Sequence, residues 1–323
     1  MAQVIKPVRL LFALLAFLTC VSGAAQDYPA KAVRLVAGFP PGGNVDMVAR
    51  VVAQKMSERF GQQMIVENRP GAGGLIGSDY VAKAPADGYT LLLVSGAYTG
   101  QAATMKTLPF DPVRDFTWIS TLITYPFVLV VRSDSPFRTL NDLISAAKSS
   151  PGKLNFASVG IASVFHLATE LFNAMAGIEI THVPFRGGAE PMTEVIAGRM
   201  DGVFETMPIA LPHIQSGRVR ALAVTSAERA PLLPETPTLG QTLPGYDVVS
   251  FSGIAAPRGT PGAIVERLNR DLRAVLELPD IRRRFTDLGG SLRASSPEEM
   301  GRYIENDIAK WKRVVEERKI VIQ

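Results

Sequence analysis

The chain has 323 residues, long enough for a substantial core and two lobes. Hydrophobic residues make up 47% and charged residues 20%, the profile of a soluble globular protein. Net charge is +4, and Lys6 and Arg9 supply two of those charges, so the remainder is too small for a nucleic-acid or membrane-surface partner.

The N-terminus reads as a secretory signal peptide over residues 1–25. Lys6 and Arg9 form its charged region, Leu10–Val21 its apolar region, and Gly23-Ala24-Ala25 its cleavage site. The apolar run is too short for a membrane span. Cys20 is the only cysteine. A lipid anchor there is the alternative, and Thr19 fits it poorly. Cleavage after Ala25 leaves an exported protein with no disulfide, stabilised by its core.

Periodicity then predicts an alternation of strands and helices. Val33–Phe39 is strand-like, Met47–Phe60 helical with a stop at Gly61, Met64–Glu67 a strand, Leu75–Ala84 a short helix and Tyr89–Ser95 a strand. That is a βαβαβ half-sheet. A second alternation starts near Tyr125. Its strands are Phe127–Arg132, Leu154–Ala157, Ile180–Val183, Gly202–Glu205 and Val219–Thr225, and its helices are one capped by Thr139, Ser163–Ala176 and Ala189–Ala197. Pro208 and Pro212 are expected to break up the segment after Glu205. Residues 230–250, rich in proline and glycine, read as a long surface crossing. Three helices close the chain, one capped at Thr260-Pro261 and the last opening with the capping box Ser296-Pro297-Glu298-Glu299. The division expected is 26–125 with 250–323 as the first lobe and 126–249 as the second, with a cleft between them.

The loop Phe39-Pro-Pro-Gly-Gly-Asn-Val-Asp46 joins the first strand to the first helix. Its outward N–H groups, at the positive end of the helix dipole, suit an anion without any charged side chain. An ordinary strand–helix turn is the alternative. Asp46 would repel an anion unless it turns inward, so it reads as a brace of the loop. Asn68–Gly77 is glycine-rich, but its spacing and its place after the second strand rule out a dinucleotide fingerprint. Ser158-Val-Gly160-Ile161-Ala162-Ser163 occupies the matching place in the second half, with Ser163 either a helix cap or a ligand contact. His166 buttresses that loop. Phe39 and Tyr98 are candidate apolar walls. Glu205 is a cleft-facing acid or a solvated strand end, and Arg186 is a candidate anion contact. The three histidines match no metal pattern, and Ser163 with His166 makes no convincing nucleophile pair. No metal or cofactor is expected.

Several long motifs in order then resemble a known family. They are Tyr28-Pro29-x-Lys31, the 39–46 loop, Glu67-Asn-Arg-Pro-Gly-Ala-Gly-Gly74, Asp87-Gly-Tyr-Thr-Leu91, His182-Val-Pro-Phe-Arg-Gly-Gly188 and Leu222-Ala-Val-Thr-Ser226. The chain resembles, from about Tyr28 to its C-terminus, the Bug family of extracytoplasmic receptors of tripartite tricarboxylate transporters. The resemblance implies an α/β, type II periplasmic-binding-protein fold that closes on a small organic carboxylate. It also implies delivery to inner-membrane transporter subunits, with docking on a signalling partner as the alternative. The receptor is expected to be a periplasmic monomer without catalysis. The contacts expected are Phe39, Gly42, Gly43, Asn44, Val45, Asp46 and Tyr98 from one lobe, and Ser158, Gly160, Ile161, Ala162, Ser163, His166 and Glu205 from the other. Asn44-Val45 stands where relatives usually carry a small hydroxyl residue, and Ala162 where many carry glycine.

Overall fold

Val33–Ala37 forms strand β1, with Leu35, Val36 and Ala37 wholly buried, because helices cover both faces of its sheet. The computed structural model describes residues 28–161, 163–185, 189–287 and 289–317, so the expected signal peptide, Ala162 and Arg186–Gly188 lie outside the described residues. Helix α1 (Asn44–Phe60) buries Val48, Val52 and Met56 against the sheet and stops at Gly61, whose φ of 66° closes the helix in the left-handed region. Strand β2 (Met64–Asn68), helix α2 (Leu75–Ala82) and strand β3 (Thr90–Ser95) complete the expected βαβαβ unit, with β1 parallel to both neighbours.

Helix α3 (Gly96–Thr104) follows Ser95 directly and was not expected from the sequence. Two glycines weaken its helical propensity, and tertiary contacts override that. Thr99 Oγ1 donates to Asp307 Oδ2 at 2.6 Å, and the Tyr98 hydroxyl donates to the Pro112 carbonyl at 2.7 Å.

Strand β4 (Phe116–Arg132) is far longer than the expected Phe127–Arg132. It is followed by helix α4 (Leu140–Ser149), strand β5 (Asn155–Ser158), helix α5 (Val164–Ala176), strand β6 (Thr181–Pro184), helix α6 (Glu190–Ile196) and strand β7 (Gly202–Thr206). The cap of α4 is the expected box, with Thr139 Oγ1 accepting from Asp142 N–H while Asp142 accepts from Thr139 N–H. Met207–Gln215 is a helix (α7) despite its prolines. Pro208 sits in the first turn, where no N–H is needed, and Pro212 gives up one bond.

Strand β8 (Val219–Val224) leads into the return segment, which is not simply a surface crossing. It holds a short helix, α8 (Leu239–Thr242), and a buried Tyr246 whose hydroxyl donates to Ala168 O at 2.9 Å. Strand β9 (Val249–Pro257) re-enters the first sheet. Helices α9 (Gly262–Leu276) and α10 (Pro279–Asp287), strand β10 (Ser291–Leu292) and helix α11 (Pro297–Glu317) follow. Helix α9 begins one residue later than expected, because Thr260 turns its hydroxyl back to Pro257 O at 2.8 Å. The capping box at Ser296 forms with Glu299, and Met300, Ile304, Ile308 and Trp311 are buried as one stripe.

The strand order is β2-β1-β3-β9-β4-β7-β5-β6, with β8 and β10 also on β4. Strand β4 pairs with β9 up to Pro126 and with β7 and β8 from Phe127 onward. It thus runs through both lobes of an α/β fold, and the chain returns between Val224 and Val249. Thr225 ties the two crossings together. Its hydroxyl accepts from Phe127 N–H at 2.8 Å and donates to Val248 O at 2.6 Å. Thr225→Val keeps the shape and strands both partners in the interior. We expect a loss of about 2–3 kcal/mol in denaturant unfolding.

Candidate ligand-binding cleft

Strands β1, β3, β5 and β7 are each followed at their carboxyl end by a helix, α1, α3, α5 or α7, directly after β3 and β7 and through a short loop after β1 and β5. Such edges collect outward N–H groups and positive dipole ends. Three of these helices, α1, α3 and α7, have no side-chain cap. Gly43 precedes α1 with φ −82° and ψ 169°, and Ser95 precedes α3 with φ −136° and ψ 173°. Helix α5 is different. Ser163 caps it, accepting from His166 N–H at 3.3 Å and donating its own proton to Gly160 O at 2.8 Å. The hydroxyl proton of Ser163 is therefore engaged within its own loop. The two lobes meet where α3 and α5 begin. A Cβ on Gly96 would stand 2.6 Å from Ser250 Oγ and 3.4 Å from Val164 Cγ2, so a side chain there would have to displace the Ser250 hydroxyl.

The first loop is rigid by construction. Asp46 is buried and accepts from Gly42 N–H at 3.0 Å, Arg50 Nε at 2.8 Å and Asn68 Nδ2 at 2.9 Å. Asn68 Nδ2 also donates to Phe39 O at 3.0 Å. Burial pushes the Asp46 pKa up, but the bonds from Arg50, Gly42 and Asn68 outweigh it and hold the carboxyl below its ordinary range. Asp46 thus spends both oxygens inside the protein. Gly43, Asn44 and Val45 are left presenting their N–H groups at the α1 terminus. The Phe39 ring packs toward Gly74, in the glycine-rich turn that follows β2.

Sequence reasoning missed the floor beneath this loop. In β9 the even positions share the face of Ile254 and Ala256, which is the face that α1 covers. Ser252 lies opposite Ser95, and Ser250 opposite Tyr125. The wholly buried Tyr125 hydroxyl lies among Ser250, Ser252 and Asn44, and burial raises its pKa. Among the described residues, Ser252 Oγ and Asn44 Nδ2 are buried with no hydrogen-bond partner at full geometry. Each such orphan costs about 1–3 kcal/mol. No sequence signal could have joined positions 44, 95, 125 and 252 before the strand pairing was known.

The second loop rests on a histidine pair. His166 and His182 stack with ring centroids 3.7 Å apart and planes 12° apart, and His182 Nε2 meets Ser158 Oγ at 2.5 Å. Gly160 takes φ 123°, a conformation reserved for glycine, and Ile161 is 53% exposed at the tip. Burial lowers His166 to about 4, and burial together with the neighbouring His166 lowers His182 to about 3. Both rings are neutral in the fold, whereas unfolded histidine takes its proton near 6.5. The stability they supply is therefore complete above about pH 6.5 and is lost as pH falls towards 4. We expect the imidazole proton resonances to hold their neutral positions down to pH 5 while the denaturant midpoint declines over that range.

Two expected contacts lie elsewhere. Tyr98 does not wall the cleft. It is 6% exposed and packs into an aromatic cluster with Phe110, Phe116 and Trp118, because α3 turns it behind the sheet. Glu205 is not a solvated strand end. It is 1% exposed, shares a face of the second lobe with Val128 and Val203, and accepts at Oε1 from Thr206 N–H at 2.7 Å. Burial pushes it up to about 7, and Oε2 has no partner among the described residues. No group of three metal-ligating side chains occurs among the described residues.

Two α/β lobes joined by crossing strands, with uncapped helix termini at their meeting edge, define a bilobed solute-binding protein of the periplasmic type. The chain belongs to the tripartite tricarboxylate transporter family receptor group, whose family model matches residues 48–320. It is 40% identical over 295 residues to the UPF0065 protein in the tcbD-tcbE intergenic region of Pseudomonas sp. strain P51, covering 91% of this chain and 88% of that one. Protein BugT of Bordetella pertussis is 34% identical over 297 residues, 91% of each chain. Among solved structures, R. palustris Rpa4515 with adipate superposes with a TM-score of 0.85 at 36% identity, covering 91% of this chain and 99% of that one.

Proposed function

We propose that this receptor works in the periplasm, where it captures a small organic carboxylate by closing its lobes and hands it to the membrane subunits of a tripartite tricarboxylate-type transporter. The lobes are 26–125 with 250–323 and 126–249, and the hinge is the pair of crossings tied by Thr225. The observation that carries the reading is the uncapped α1 terminus on a loop braced by Asp46. Its N–H groups from Gly43 to Val45 are preorganised for an anion, and the loop holds no cation that would serve instead. Closure brings the 158–163 loop over the anion and excludes water, which strengthens those hydrogen bonds. The adipate held by the R. palustris relative supports the ligand class.

Binding without turnover fits the site. Ser163 gives its proton to Gly160 O rather than to the His166 ring, and Ser158, which does meet a histidine, is 1% exposed. A melting-temperature panel of mono-, di- and tricarboxylates, amino acids and neutral solutes tests the reading. A ligand that binds only the native state raises the melting temperature by mass action. We expect carboxylates to do so. A shift by neutral solutes alone would refute the carboxylate assignment.

A further inference from the structure

The floor of the cleft is built to read something other than a charge. Its members are Ser95, Ser250, Ser252, Tyr125 and Asn44, on the face of the first sheet that α1 covers and beside the uncapped end of α3. All five are neutral. Ser252 is wholly buried, and its Oγ makes no hydrogen bond of full geometry, with the Tyr125 hydroxyl as its polar neighbour; the same holds for the buried Asn44 Nδ2. Two buried polar atoms that share one tyrosine hydroxyl and complete no well-formed bond mark a place that a ligand oxygen would satisfy better. A hydroxyl or carbonyl oxygen suits them, because it accepts from the Asn44 amide, and a hydroxyl can also donate to a serine or tyrosine oxygen. A second carboxylate on the same floor would be desolvated with no cation among these five side chains to balance it.

We infer that Asn44 and Ser252 are specificity-determining residues that recognise an uncharged oxygen, a hydroxyl or carbonyl, borne by the carboxylate ligand. The inference rests on the carboxylate reading above and adds the chemical feature that distinguishes one acid from another.

Matched pairs of acids test it by calorimetric titration: butanoate against 3-hydroxybutanoate, and butanedioate against 2-hydroxybutanedioate. In at least one pair the hydroxyl-bearing acid is expected to bind at least tenfold more tightly than its plain parent. In Ser252→Ala and in Asn44→Ala that advantage is expected to fall below threefold. Equal affinities within both pairs, or an advantage that survives both substitutions, overturns the inference while leaving the carboxylate reading standing. Binding of none of the four acids, with a neutral solute binding instead, overturns both. The ligand-free melting temperature supplies an independent readout. Ser252→Ala removes a buried hydroxyl that makes no well-formed hydrogen bond, so the empty protein is expected to melt no lower than the parent. A clear fall would mean that the hydroxyl serves the fold and not a ligand, which also overturns the inference.

Discussion

Gly43→Pro is expected to weaken carboxylate binding on the order of 100-fold while the protein stays folded. The backbone at Gly43 has φ −82°, close to the angle proline imposes, and a Cβ there would meet nothing nearer than Pro40 O at 3.8 Å. The carbonyl that opens α1, which accepts from Met47 N–H at 3.0 Å, is untouched. The substitution removes one N–H from the anion seat and puts a ring methylene in its place. A hydrogen bond to a charged group contributes about 1.5–3 kcal/mol, so the affinity should fall on the order of 100-fold. Circular dichroism and the melting temperature should match the parent within about 2 °C, since one surface change rarely exceeds ±0.5 kcal/mol. Unchanged affinity would remove the 42–45 loop from the site.

Asp46→Ala should have the largest combined effect. It strands Gly42 N–H, leaves Asn68 Nδ2 with only its bond to Phe39 O, and frees Arg50, a surface-facing partner whose pairing counts for less. We expect about 2–3 kcal/mol of lost stability in urea unfolding and roughly tenfold weaker binding, as the loop gains freedom that binding must then remove. Asp46→Asn should not rescue it, because its amide would face donors. The carboxyl is held below its ordinary 3.8, so its contribution is present above that pH and lost as pH falls through the folded value. The parent's urea midpoint should therefore fall below pH 3.8 more steeply than that of Asp46→Ala.

Local signals carried much of the fold. The capping boxes at Thr139 and Ser296, the apolar stripe of α11 and the glycine stop after Phe60 are each written within a few residues, and each forms. The 39–46 loop was legible for the same reason, as a glycine turn between an apolar run and a helical period. What was not legible depends on distant residues. Helix α3 carries two glycines and is held by Asp307, some two hundred positions away, so its propensity pointed elsewhere. Tyr98 looked like a cleft wall because it follows a strand end, but the helix nobody could read turns it into the core. Glu205 alternates onto a buried face, which only the pairing with Val128 reveals. The floor of Ser95, Tyr125 and Ser252 joins three strands whose order is set by the antiparallel return of β9.

The central claim is that a carboxylate is held by backbone N–H groups at the start of α1. Amide-resolved NMR tests it most directly, by titrating the protein with whichever acid raises its melting temperature most. The account predicts downfield amide-proton shifts and slowed hydrogen exchange at Gly43, Asn44 and Val45, accompanied by changes at Gly160 and Ile161 as the second loop closes. Saturating binding that leaves the resonances of Gly43 to Val45 where they were would contradict it.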